Sequence, residues 1–485
     1  MSARKSIKRN YIYNMLFHFF TLITPLITIP YTSRVLKAEG VGTASFIGSV
    51  ANYFFLFAAL SIFSYGKREI SYYQDNRAKR SRIFWNLKLL AAITVSFSMT
   101  VYLLLVYINV KENYHLYVIA GAGMINILLD ATWMYVGMED FGKVILRHML
   151  VRLSFIIFLL TFIKSEADLP YYMCGAILFG SIGHIALWIP LPKFIDKPCL
   201  REINPFHDIK TILQLFIPNI AIEVYTVLDK TMIGLFTGDP AENGYYEFSV
   251  KTVRLVVSVI TSLCVVMSPR IGHLFAHNDM EQIKDYMYRS YNFAWFLGIP
   301  ICLGLIGISD NFVPWFFGAG YGKVAVLIKI IAFLIMAISF GNLTGAQYLV
   351  PTLRHNKFTK SVMIGAAVNF CMNIALIPAF KSYGAAVASV IAECSVSASQ
   401  LYIVRHELNI RKIFALGKNN YIAGIIMLVF LLLLGKKLAP SLIHTFMMIL
   451  SGALVYFSVL LVLRDKFFIE NARITLASFR KKLHI

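Results

Sequence analysis

Charge is scarce in this chain of 485 residues: Asp, Glu, Lys and Arg make up 15% of it, where a soluble domain carries about 25%. That shortage excludes an ordinary solvated globule. No hydrophilic stretch is long enough to form a separate domain, so a nucleotide-driven motor has no place in the chain. The motifs HExxH, GxSxG and GxxxxGK[ST] are absent, which leaves metalloprotease, α/β-hydrolase and P-loop chemistry without an anchor. The six cysteines (Cys174, Cys199, Cys264, Cys302, Cys371 and Cys394) form no CxxC or other metal-ligand spacing. Most sit in apolar runs and read as small hydrophobes, and no metal or cofactor is expected. Alternation of apolar and polar residues over about 10 positions is also missing, which excludes barrel strands.

What the chain has is hydrophobicity. Apolar residues make up 58% of it and the mean hydropathy is +0.67. Apolar runs near 20 residues recur from end to end, the length a helix needs to cross roughly 30 Å of hydrocarbon. The expected fold class is an all-α membrane protein of about 14 transmembrane helices. The spans are placed near 10–33, 40–65, 83–108, 115–138, 143–164, 170–191, 209–236, 244–268, 289–309, 323–350, 360–379, 383–403, 420–438 and 442–463. Arg4, Lys5, Lys8 and Arg9 precede the first run, but that run is too long for a signal peptide core and is read as a retained span. The net charge of +21 is attributed to anionic lipid headgroups and topology rather than to nucleic acid. The connections 66–82, 192–208 and 404–418 and the last segment are basic, whereas 237–243 has no Lys or Arg and carries Asp239 and Glu242. Basic loops stay in the cytoplasm, so both termini are expected there.

The chain repeats itself at an offset of 202 residues: Gly42 pairs with Gly244, Phe46 with Phe248, Arg68 with Arg270, Asn76 with Asn278 and Arg82 with Lys284. An offset of six spans preserves orientation and predicts parallel repeats, a context in which transporters place substrate between the halves. The expected organisation is a six-helix lobe at 1–191, a cytoplasmic linker at 192–208, a second six-helix lobe at 209–403, and two further helices with a basic tail at 404–485.

Charges inside the spans mark candidate sites, because a charge facing lipid is costly. Glu247, Lys251 and Arg254 share one helical face by their i, i+4, i+7 spacing, and Ser258, Thr261 and Ser262 prolong it. The corresponding residues of span 2, Ser45, Ser49 and Asn52, are uncharged. Span 7 adds Glu223, Asp229 and Lys230. Two readings stand side by side: an anion site built on Lys230, Lys251 and Arg254, or ion pairs joining Asp229 or Glu223 to Lys251 or Arg254. Asp130 in span 4 and Glu393 in span 12 are candidates for proton or sodium coupling, or for structural hydrogen bonds. Arg34 ends span 1 and suits either a substrate headgroup or interfacial anchoring. Pro25, Pro30 and Pro218 interrupt spans 1 and 7.

The stretch IPYTSRVLKAEGVG at 29–42, continuing through Tyr65-Gly-Lys-Arg-Glu-Ile-Ser71, resembles the N-terminal signature of the Wzx-type polysaccharide flippases. These belong to the multidrug/oligosaccharidyl-lipid/polysaccharide exporter superfamily. Asp130-Ala-Thr-Trp133 with Gly137-Met-Glu139, and Pro218 to Asp229 with Ile233-Gly234, match as well. The chain departs from the family at Leu36-Lys37, where a Leu-Gly pair is usual. The resemblance implies a two-lobed, V-shaped 14-helix fold working by alternating access. The implied cargo is undecaprenyl-pyrophosphate-linked oligosaccharide, moved to the outer leaflet of the bacterial cytoplasmic membrane for capsule or O-antigen assembly. Membrane lipids and a polysaccharide polymerase machinery are the implied partners, and transport rather than enzymatic catalysis is the implied activity. The alternatives are a drug/cation antiporter of the multidrug and toxin extrusion type and a membrane-embedded polymerase or acyltransferase. The basic stripe argues against the first, and the short external loops argue against the second.

Overall fold

The computed structural model describes residues 7–199, 201 and 203–473. Arg4, Lys5 and the basic residues Arg480, Lys481 and Lys482 of the last segment lie outside the described residues, as do the side chains of Lys8, Arg9 and Pro218. The described residues are helical throughout, with no strand among them. The helices are α1 (Ile7–Val35), α2 (Lys37–Ala59), α3 (Ile62–Tyr72), α4 (Arg77–Asn109), α5 (Tyr114–Ala122), α6 (Ile125–Leu129), α7 (Thr132–Gly137), α8 (Phe141–Phe162), α9 (Leu169–Trp188), α10 (Ile209–Thr237) and α11 (Pro240–Ala276). They continue as α12 (Met280–Phe317), α13 (Gly322–Ile331), α14 (Leu334–Thr344), α15 (His355–Phe380), α16 (Ser382–Ile403), α17 (Ile410–Ala415), α18 (Lys418–Gly435) and α19 (Leu442–Val462).

Among the described residues, 12 helical segments are long and apolar enough to cross a membrane. Two more helices, α1 and α10, fall where spans 1 and 7 were expected, and each has 29 residues. At about 1.5 Å per residue, that length exceeds the hydrocarbon thickness. Large apolar side chains face outward, among them Phe97, Leu104, Ile189 and Val462. Water would penalise that surface, whereas a bilayer is its natural solvent.

Several of the membrane-length segments are interrupted, and two of the interruptions in the first unit lie beside each other. The segment 37–72 is interrupted after α2, where Leu60 and Ser61 take left-handed backbone angles (φ 42° and 57°). The segment 114–137 is interrupted between α6 and α7, where Asp130 is extended. Backbone freed from helical bonding at membrane depth must find partners inside the protein or line a cavity. Lys37 also adopts a left-handed conformation (φ 54°), so the turn keeps the geometry that glycine favours although glycine is absent.

The chain divides into two compact units, Met1–Gly244 and Tyr245–Ile485. Helix α10, assigned from sequence to the second lobe, packs in the first unit against α2. Thr231 donates to Ser49 (2.9 Å) and accepts from Tyr53 (3.0 Å). Also within the first unit, a Cβ added to Gly42 would strike the carbonyl oxygen of Pro240, and one added to Gly244 would strike that of Ala38. Glycine is required at both positions because backbone touches backbone.

Candidate functional site

The first unit encloses a cavity of about 210 Å³ at these two helix breaks. Ala59, Ile62 and Phe63 reach it from the break in 37–72, and Ile127, Asp130 and Trp133 from the break in 114–137. Lys88 of α4 and His184 of α9 complete its polar wall together with Asn126.

The chemistry of the wall follows from the broken backbone. Between α6 and α7, carbonyls lose their helical N–H partners. The Lys88 ammonium donates to the carbonyls of Leu128 (2.9 Å) and Asp130 (2.5 Å), and the Trp188 indole N–H donates to that of Leu129 (2.7 Å). On the other side of the break, Asp130 Oδ1 accepts the backbone N–H of Thr132 (2.8 Å), an Asx turn that leads into α7. The same oxygen lies 3.2 Å from His184 Nδ1, and Arg147 Nη1 of α8 also lies 3.2 Å from that nitrogen. One ring nitrogen cannot donate to the carboxylate and accept from the guanidinium at once, so proton placement on His184 chooses between the two. Arg147 also contacts His148, with Nη2 at 2.6 Å from its Nε2. Phe84 and Trp133 stack at 5.3 Å beside the site and belong to the buried core of this unit.

Of the residues singled out from sequence, Asp130 is the one placed in this cavity. Arg34 is exposed at the end of α1 and donates to the carbonyl of Pro30 (2.8 Å). On α10, Glu223 is exposed, Asp229 is buried and Lys230 is half-buried. In the second unit, Lys251 pairs with Glu247 one turn away on α11 (2.9 Å), with the lysine 48% and the glutamate 8% exposed. Arg254 is exposed and has no ion-pair partner among the described residues. Glu393 is half-buried on α16. The sequence reading missed Lys88, Arg147 and His184. Lys88 and His184 are polar residues in largely apolar runs, the same signal that drew attention to Asp130, whereas Arg147 stands among Lys143, His148 and Arg152.

Residues 7–275 match the family described as polysaccharide biosynthesis protein. The chain belongs to that family, as the resemblance in its N-terminal motifs implied, and it is a multi-pass membrane protein. It is 24% identical over 411 residues to a protein of Escherichia coli (strain K12) named "Putative O-antigen transporter", covering 83% of this chain and 97% of that one. Its fold is similar to that of "Lipid II flippase MurJ, inward closed conformation", with a TM-score of 0.73 and 14% identity over 94% of this chain and 99% of that one. It is also similar to an inward-facing multidrug resistance MATE family transporter of the MOP superfamily, with a TM-score of 0.63 and 13% identity over 81% of this chain and 96% of that one.

Proposed function

We propose that this chain is a flippase that turns undecaprenyl-pyrophosphate-linked oligosaccharide from the inner to the outer leaflet of the bacterial cytoplasmic membrane by alternating access, with both termini in the cytoplasm. The observation that carries the reading is the basic face of α11. Lys251 and Arg254 are exposed on a helix of membrane-crossing length, and a cation there needs an anionic or aqueous neighbour rather than lipid. A pyrophosphate headgroup meets that need through charge-assisted hydrogen bonds, about twice as strong as neutral ones. Lys230 and Arg34 are assigned supporting roles towards the same headgroup, and α18 and α19 are assigned to cover the lipid tail.

The E. coli relative named as an O-antigen transporter supports a saccharide cargo. The fold does not choose between saccharide-lipid and drug, since a flippase and a MATE transporter share it, and function is argued from the site. A basic site repels cationic drugs. An inside-negative membrane potential favours outward movement of an anion by about 2.3 kcal/mol per charge per 100 mV, which supplies drive without ATP. Of the carboxylates considered for ion coupling, Asp130 is held by His184 and fits the ion-pair alternative, which leaves Glu393 for coupling.

The test is complementation of a null strain at matched membrane expression, with lipid-linked oligosaccharide followed by mass spectrometry. The null strain is expected to accumulate that lipid. Lys251→Gln and Arg254→Gln are expected to restore export poorly, whether or not Glu247→Gln, the partner of Lys251, Asp229→Asn or Glu223→Gln is added. Full recovery in the double variants would return the two cations to structural ion pairing. A null strain without accumulated lipid would overturn the flippase assignment itself.

A further inference from the structure

We propose that the cavity of the first unit is a saccharide subsite that holds one sugar ring of the cargo, an inference that rests on the flippase reading above. Three observations carry it: the size of the cavity, its unused polar ends, and its balance of charge.

The cavity measures about 210 Å³, smaller than the roughly 300–1,000 Å³ of pockets for drug-sized ligands. Its volume suits a single ring. Lys88, Asp130 and His184 each make the protein contacts described above and keep hydrogen-bonding capacity beyond them. The third N–H of Lys88 makes no protein hydrogen bond, although the ammonium lies 5.1 Å from the Trp188 ring centroid; the Asp130 carboxylate, bonded to His184 and to the backbone and side chain of Thr132, keeps free lone pairs; and Nε2 of His184 makes no protein hydrogen bond. They are a donor, an acceptor and a nitrogen that serves as either, and they belong to three different helical segments around one space. Trp133 and Phe63 add an apolar wall. Sugar hydroxyls donate and accept at once, and the C–H face of a ring packs on aromatic carbon, so such a wall matches a pyranose group by group.

The charge balance decides against simpler occupants. A small anion would meet Lys88 but also the Asp130 carboxylate, and a small cation would meet the reverse. Other titratable groups of the network, Arg147, His148 and Arg152, come from α8, which contributes no residue to the cavity wall. With one ammonium and one carboxylate on its surface, the cavity favours a neutral polyol, for which both signs are hydrogen-bonding assets.

The experiment compares two lipids on the purified full chain in nanodiscs by native mass spectrometry. One is the lipid-linked oligosaccharide extracted from the null strain, and the other is undecaprenyl pyrophosphate without sugar. Asp130→Asn changes an acceptor into a mixed group, and Ala59→Leu fills the cavity from its apolar side without touching the network. Both variants are expected to weaken binding of the glycosylated lipid about tenfold, the worth of one hydrogen bond to a charged group. Binding of the bare pyrophosphate lipid is expected to remain as in the wild type. Equal loss for both lipids, or loss for neither, would overturn the subsite while leaving the flippase assignment standing. Failure of the wild-type chain to bind the glycosylated lipid would overturn both together. Ala59→Leu keeps the test informative if Asp130→Asn fails to fold.

Discussion

Inside the first unit, Lys88, Asp130, Arg147 and His184 bring ionisable groups together from four membrane-length segments, and Lys88 and Arg147 are buried. The interior of the second unit is polar by other means. Gln347 donates to Ser290 (2.8 Å), Gln400 to Ser361 (3.0 Å), and Tyr291 bonds Thr344 (2.7 Å). All of these are neutral groups in the buried core. Ion pairs of the second unit keep an exposed or part-exposed member: Arg354 with Glu407 (2.6 Å) lies outside the spans, Lys251 with Glu247 (2.9 Å) sits along α11, and Lys329 with Asp310 (2.7 Å) joins α13 to α12. Amides and hydroxyls join helices without changing charge. A buried set of acids and bases costs more to desolvate, and it is found where broken helices need strong donors and a cavity gives them room.

The comparison breaks most readily at Asp130. Asp130→Ala leaves His184 without its carboxylate and removes the nearby negative charge from Lys88 and Arg147, a loss of about 3–5 kcal/mol for a broken buried pair. The neutral counterpart, Gln400→Met, keeps volume and leaves Ser361 bonded to the Phe358 carbonyl (2.7 Å), so it is expected to cost about 1 kcal/mol. Heat scans of the purified variants measure both. Equal shifts would erase the distinction between the units.

A smaller effect is expected at Glu407. Burial raises the pKa of its carboxyl, but hydrogen bonds from Arg354 and Tyr348 outweigh that and hold the pKa below the ordinary glutamate range. A depressed acid stabilises the fold fully above its unfolded pKa of about 4.3 and loses that contribution as pH falls through the folded value. The contribution is on the order of 1 kcal/mol for a partly exposed pair. Wild type should therefore lose thermal stability below about pH 4 more steeply than Glu407→Gln, and parallel pH profiles would contradict this.

The smallest effect sharpens the contrast between a buried charge and a surface one. Lys37 pairs with Glu166 at the exposed turn after α1, a contact that solvent screening leaves with little weight. Its left-handed backbone costs about 1–2 kcal/mol relative to glycine. Lys37→Gly is expected to leave melting unchanged or raise it by an amount equivalent to about 1 kcal/mol. A clear drop would show that the ion pair outweighs the strain.

The helical class, the family and the lone carboxylate at Asp130 were legible in the sequence because each is a local signal: hydropathy over some 20 residues, a contiguous motif, a charge in an apolar run. The partners of Asp130 were not legible. Lys88, Arg147 and His184 lie on three other helices, and no spacing rule links residues whose neighbourhood depends on helix packing. The breaks at Leu60–Ser61 and Asp130–Ala131 were also invisible. Neither carries glycine or proline, and both fall inside runs that read as single spans. The sequence reading joined Lys251 to Asp229 or Glu223, whereas the lysine pairs with Glu247 one turn away, a partner that i, i+4 spacing offers. The burial of Glu247 beneath an exposed Lys251 was not readable.

The meeting of Gly42 with Pro240, and of Gly244 with Ala38, has the form of a contact between identical molecules. At the 202-residue offset, Pro240 and Gly244 are the counterparts of Ala38 and Gly42. One segment's glycine therefore touches the other's position 38 equivalent, and the reverse holds as well. Such reciprocity is what a two-fold homodimer produces, where residue i meets j and j meets i. The two glycines are accordingly under one constraint rather than two. Gly42→Ala and Gly244→Ala should lower melting by matching amounts, whereas Gly48→Ala, with open space around its Cβ position, should not. Unequal losses at the two sites would mean that the symmetry survives in sequence but no longer in force.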